Sequence, residues 1–191
     1  ATGKAKDLVR MSVARAAYLE PLQEFDLPVN KTTLVVGGGI AGMTCALSIA
    51  RQGHLVHLVE KEKELGGMAQ QIPATLEGMD VQAYLDDVIR AVYQHPLIHV
   101  SHEATIKDVS GYVGNFITKV KSEGRVKAIR HGAAILATGA EEYKPTEYLY
   151  GEDDRVLTQL ELGERIAKGD ERLINSQSLV MIQCVGCRQE D

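Results

Sequence analysis

The chain has 191 residues, 45% of them hydrophobic, with 26 acidic against 21 basic side chains and a formal net charge of −5. That length accommodates one large domain, or one domain with extensions, and the mild negative charge disfavours nonspecific nucleic-acid binding. No apolar run approaches the roughly 20 residues of a membrane helix, there is no signal-peptide pattern, and three cysteines make no disulfide framework, so a reducing cytoplasm is the expected compartment.

In chain order, residues 4–20 predict a helix ended by Pro21. Leu8, Met11, Arg15 and Leu19 share one stripe, and Val9, Val13 and Ala16 the next. Such a helix either packs on the main domain or connects to a preceding one, and the two are compatible. The first residue is Ala and the last a charged tail just after an expected strand, which suggests a piece of a longer protein. Residues 21–31 read as a linker.

Residues 33–61 form the organising stretch. Residues 33–36 are an apolar, β-branched run, expected as a buried strand. Gly37, Gly39 and Gly42 follow at G-x-G-x-x-G spacing, with Ile40 and Ala41 between the second and third. A helix-period stretch then runs to Arg51, and a second strand over 55–59 ends on Glu60 and Lys61. This β-α-β pattern is a dinucleotide-binding fingerprint: one glycine for the tight turn, one for close approach of a pyrophosphate, one for helix–sheet packing. The helix N-terminus offers free N–H groups and positive dipole to phosphate. A carboxylate about 20 residues downstream accepts hydrogen bonds from ribose hydroxyls, and an acid rather than an arginine there favours an unphosphorylated ribose.

Gly66 and Gly67 follow a charged turn; a simple nicotinamide-binding domain has no need of such a pair. Residues 80–94 predict a helix capped by Asp80, with Val81, Tyr84, Leu85, Val88, Ile89 and Val92 on its apolar face. Residues 98–100 are a short strand. Residues 106–109, 115–121 and 125–130, punctuated by Gly111, Gly114 and Gly124, read as an antiparallel meander where a plain Rossmann domain would continue with helices. Residues 133–136 form a buried strand ending Ala137-Thr138-Gly139. Residues 140–155 are a loop containing Tyr143, Tyr148 and Tyr150, which either shield a cofactor or neighbouring subunit or simply pack the loop. Thr158 caps a helix over 159–168, and 178–183 read as a final strand before Cys184-x-x-Cys187.

That order of motifs resembles the FAD domain of the two-dinucleotide flavoprotein superfamily, which includes thioredoxin reductase. The match narrows further: KAKDLVRMSVARA at 4–16, LEGMDVQAYL at 76–85, DVSGYVGNF at 108–116, ATGAEEYKPTEYLYGEDDRVLTQLEL at 137–162 and MIQCVG at 181–186 resemble the A-type subunits of heterodisulfide reductase and their relatives. The resemblance implies an α/β, Rossmann-like FAD-binding domain, truncated, over 32–168, with the N-terminal helix and linker at 1–31 and the start of a following domain at 169–191. It implies an oxidoreductase, the flavin subunit of an iron–sulfur-rich complex that in methanogens reduces the mixed disulfide of two thiol coenzymes by flavin-based electron bifurcation. Its partners would be the other subunits, with a hydrogenase or ferredoxin among the candidates, and an isolated piece is expected to be inactive.

Carried over by residue, Gly37, Gly39, Ile40, Ala41 and Gly42 would line the FAD pyrophosphate, and Glu60 would hold the adenosine ribose with Lys61 beside it. Gly66 and Gly67 would run along the cofactor, Ile106 would offer backbone to the adenine, and Ala137, Thr138 and Gly139 would approach the pyrophosphate and flavin. In the family a later segment closes the FAD domain, and a cysteine matching Cys184 joins further cysteines at an iron–sulfur cluster; Ser is usual where Cys187 stands. The pair is therefore a dithiol, a remnant of that cluster site, or without a role. Cys45 is expected in the core. His95, His99 and His102 fit no single metal-binding face. The rivals are a flavin-free docking module of this fold and a nicotinamide-binding oxidoreductase domain, the latter disfavoured by the meander and the Ala-Thr-Gly turn. No catalytic acid or base is legible.

Overall fold

A computed structural model describes residues 2–21, 24, 26–183 and 185–186. Strand β1 (Thr33–Val36) leads into helix α2 (Ile40–Arg51), preceded in the chain by helix α1 (Thr2–Ala17). Strand β2 (Val56–Val59), a 3-10 turn (Gly67–Gln71), helix α3 (Val81–Gln94) and strand β3 (Ile98–Ser101) follow. Strands β4 (Ala104–Tyr112), β5 (Asn115–Ser122) and β6 (Arg125–His131) form the meander, and β7 (Ala133–Leu136) returns to the first sheet. Helices α4 (Gln159–Ala167) and α5 (Glu171–Ile174) come last.

The first sheet is wholly parallel in the order β3-β2-β1-β7. Strands β1 and β2 are covered on both faces, as a parallel sheet requires; β7, expected to be buried, is instead an edge strand with Ala133, Ala134 and Leu136 exposed. Alternation divides the side chains: Val35, Val56 and Leu58 meet Met43, Ala46 and Leu47 of α2 and Leu85, Val88 and Val92 of α3. On the opposite face Leu34 and Val59 join Ala104, Val120 and Ile129 of the meander. Each fully buried aliphatic side chain contributes roughly 1.5–3 kcal/mol of transfer free energy. Asp80 caps α3 as expected, its carboxylate accepting from the N–H groups of Gln82 and Ala83. Thr158 and Glu161 form a reciprocal capping box on α4.

The meander matches its expected glycine punctuation, with Glu123 and Gly124 both at positive φ in the β5–β6 turn. It is pinned to the parallel sheet by His131, which is buried at 1% exposure. The Ala133 carbonyl can only accept, so Nδ1 of His131 donates to it at 2.9 Å, and Nε2 accepts from the Thr118 hydroxyl at 2.8 Å. In this neutral form both ring nitrogens are satisfied. Burial pushes it below its ordinary value of 6.5, against the Ala133 carbonyl, which favours the charged form. His57, stacked on His99, is lowered too, by burial first and then by His99, Lys127 and His131. Both groups take up a proton more readily in the unfolded chain. Their stabilisation is complete above 6.5 and is lost as pH falls through that value toward the lower folded ones. The urea midpoint should therefore be flat above about pH 7.5 and decline toward about pH 5. His131→Gln should flatten part of that decline; a slope unchanged by the substitution would assign it elsewhere.

Three further expectations need correction. Helix α1 does not pack on the domain: every described residue of it is exposed, Leu8 and Met11 at 55% and 68%. A stripe fixes which face is apolar, not what covers it. Residues 178–183 form no strand, and Val180 is 87% exposed. An apolar run becomes a strand only against a free sheet edge, and this run pairs with no strand among the described residues. Tyr84, though on the apolar stripe of α3, is 44% exposed. Cys184 and Cys187 lie outside the described residues.

Candidate functional site

The site is built at the C-terminal ends of β1, β2 and β7. Order in the sheet makes this a topological switch point: the chain leaves β1 toward β2 on one side, and β7 lies on the other. Three loops converge there. The Gly37 N–H donates to Val59 and the Ala137 N–H to Val36, joining the β1 turn to β2 and to the Ala-Thr-Gly turn. The Gly66 N–H donates to the Gly38 carbonyl at 2.8 Å, so the Gly66–Gly67 turn packs against the β1 turn itself. The structure thus brings together Gly37, Gly39, Gly42, Glu60, Gly66, Gly67, Ala137 and Thr138. Gly139 follows at φ +66, with open space where a Cβ would stand. Ile106 stands apart on β4, half-buried against the Leu34–Val59 cluster, two residues beyond Ala104, whose N–H donates to the Glu60 carbonyl.

The glycines divide into two kinds. A side chain at Gly37 would strike the Ala137 carbonyl, and one at Gly42 would strike the Gly37 carbonyl, so the fold itself forbids both. At Gly39 the backbone is extended, φ −73 and ψ 179, which any residue adopts, and nothing lies within 4 Å of where a Cβ would be. The protein gives no reason for glycine there. The open space faces the start of α2, where Gly39 provides no side-chain cap. The first N–H groups of the helix, those of Ile40, Ala41 and Gly42, have no intrahelical acceptor. Free donors, dipole and missing Cβ together form a cradle that could hold phosphate oxygens.

Beside the cradle Glu60 is 6% exposed. One carboxylate oxygen accepts from the Gly38 N–H at 2.5 Å and the other from the Glu62 N–H at 2.9 Å. An ionised carboxylate accepts about four hydrogen bonds, so capacity remains for ribose hydroxyls. Gly38 and Leu65 are parts of this arrangement that sequence reasoning missed: a Cβ on Gly38 would press on Leu65 and on Glu60. The run of three consecutive glycines was the available signal. Lys61 is exposed and pairs with Glu141 at 3.1 Å and Glu62 at 3.7 Å.

The residues match the chemistry of a pyrophosphate-bridged dinucleotide with an unphosphorylated ribose. The sequence model of one family, described as FAD dependent oxidoreductase, matches residues 33–142. The chain belongs to the FAD dependent oxidoreductase family. Over 126 residues it is 42% identical to the second A-type iron-sulfur subunit of CoB–CoM heterodisulfide reductase from Methanopyrus kandleri, covering 65% of this chain and 19% of that protein. It is 40% identical, over the same length and shares, to the A-type subunit of the H(2):CoB-CoM heterodisulfide,ferredoxin reductase from Methanothermobacter marburgensis. This FAD-family chain therefore spans about a fifth of the length of the curated relatives it matches. Among solved structures, the L-proline dehydrogenase of P. horikoshii superposes with a TM-score of 0.51 at 22% identity, over 64% of this chain and 25% of that one, a likeness of fold.

A second concavity of 910 Å³ lies elsewhere in the FAD-family chain, lined by Tyr143, Leu157, Leu162, Leu173, Met181 and Ile182 among others. None of the expected cofactor residues borders it. Tyr150 belongs to its supporting frame: its hydroxyl donates to Glu161 at 2.7 Å, and that bond first, with Thr158 and Lys144, holds the Glu161 carboxyl down to about 2. Among the described residues no three histidine, cysteine or acidic side chains come together as a metal site. Cys45 is a free, half-buried thiol within α2.

Proposed function

We propose that the chain is the FAD-binding domain of the flavin subunit of a heterodisulfide reductase-like complex. In it, disulfide reduction is linked to flavin-based electron transfer or bifurcation, and iron–sulfur clusters lie in the longer protein. The observation that carries the reading is Gly39, a glycine required by nothing in the protein and placed at the mouth of an uncapped helix. Gly39 and the N–H groups of residues 40–42 would receive the pyrophosphate. Glu60 would hold the adenosine ribose through its remaining lone pairs, oriented by the Gly38 and Glu62 N–H groups. Gly66, Gly67, Ala137, Thr138 and Gly139 would let backbone run close to the cofactor, Ile106 would offer backbone to the adenine, and Lys61 would stand at the adenosine end. Bound FAD supplies the hydride and electron chemistry; these residues bind and orient it. The similarity to the A-type subunits of heterodisulfide reductases supports other subunits of such a complex as partners, with a hydrogenase or ferredoxin among the candidates; a cytoplasmic setting is part of the same reading.

The test is a titration of the chain with FAD, followed by the visible flavin band and its fluorescence. A band shift with quenched fluorescence at stoichiometric FAD is the expected result. A chain, alone and within its full-length protein, that takes up no FAD would leave the docking-module reading instead.

A further inference from the structure

We propose that Glu141 and Lys61 form an ion-pair latch across the mouth of the dinucleotide crevice, in which Glu141 competes with the phosphate groups of the incoming cofactor for the Lys61 ammonium. The inference rests on the FAD reading above and adds Glu141 to the site. Lys61 follows the end of β2, and Glu141 stands five residues beyond the end of β7. Strand β1 lies between those two strands in the sheet. The two anchor points are therefore separated by two strand spacings, about 10 Å, with the Gly37–Gly39 turn between them. Yet Nζ of Lys61 reaches Oε1 of Glu141 at 3.1 Å. The pair joins the two banks of the switch-point crevice, where a dinucleotide must lie.

The surrounding charge makes the competition consequential. Glu60, Glu62 and Glu64 follow one another after β2, with Glu62 at 3.7 Å from the Lys61 ammonium, whereas Glu142, next to Glu141, is paired with Lys144 at 2.8 Å. An anionic pyrophosphate entering between these acids gains from a free ammonium at the rim. In the latched state that ammonium is held by Glu141, whose hydrogen bond and charge raise Lys61 above its ordinary value. Both side chains are exposed, at 59% and 89%, so the latch is a weak, salt-screened contact that opens readily. Its effect falls on affinity and entry, not on the fold.

The experiment compares wild type, Glu141→Gln, Lys61→Ala and the double variant in titrations with FAD and with ADP, at low and high salt. Glu141→Gln should bind both ligands about two- to fivefold more tightly at low salt, the scale of one exposed ion pair. The gain should shrink at high salt and vanish in the Lys61→Ala background. Wild-type affinity in Glu141→Gln, or a gain that persists without Lys61, would overturn the latch while leaving the FAD reading intact. Absence of FAD and ADP binding by all four chains would remove the FAD reading, and the latch with it.

Discussion

Gly37→Ala is expected to lower the urea midpoint sharply and to abolish FAD binding with it. Two costs fall on one atom. At φ +107 the backbone is in a region that L side chains avoid, a strain of about 1–3 kcal/mol. The added Cβ would also press into the Ala137 carbonyl and the Thr138 backbone. Those groups cannot retreat, because the Ala137 N–H is bonded to Val36 at 2.8 Å and β7 is laddered to β1 along its length. Forced overpacking adds about 1–3 kcal/mol more. A loss of about 2–6 kcal/mol is a large part of the stability of a domain this size. Urea unfolding followed by far-ultraviolet circular dichroism checks it. A midpoint within experimental error of wild type would mean that the β1 turn is not held against β7 as described.

Gly39→Val should do the reverse, sparing the fold and removing the cofactor. Its backbone angles suit any residue and its Cβ would meet no protein atom. The fold should lose about 1 kcal/mol or less, from a poorer residue at the helix N-cap. The isopropyl group would occupy the place where a pyrophosphate approaches the α2 donors. FAD affinity should fall on the order of 100-fold, equivalent to about 2.8 kcal/mol. The contrast between the two glycines is the informative part: neighbours in one motif, one required by the chain and one, on the proposed reading, by the cofactor. Full FAD affinity in folded Gly39→Val would show that the cofactor lies elsewhere.

Much of this is legible in the sequence, for identifiable reasons. The β1-α2-β2 unit announces itself by a change of period, from β-branched run to glycine spacing to helical stripe, and the structure keeps its order and parallel register. Glycines at the turns mark the meander, and it folds as three antiparallel strands. Asp80 and Thr158 are legible as caps because their side chains act on N–H groups two or three residues away. What sequence does not supply is long-range contact. Leu65, between Glu60 and the Gly-Gly pair, carries no periodic signal, yet it is buried against Gly38. Residues 67–71 wind into a 3-10 turn that a glycine pair does not advertise. The run at 178–183 has strand composition without a ladder partner among the described residues. Glu141 looks like any loop acid, because its meaning depends on a lysine 80 positions earlier.

Glu60 has its side chain fixed by two backbone N–H groups in the free protein. A glutamate that must be ordered by its ligand forfeits up to roughly 2 kcal/mol of rotamer entropy at the moment of binding. Here folding has already frozen those torsions. In the proposed site the acceptor is preorganised, so a ribose would meet a rigid mould.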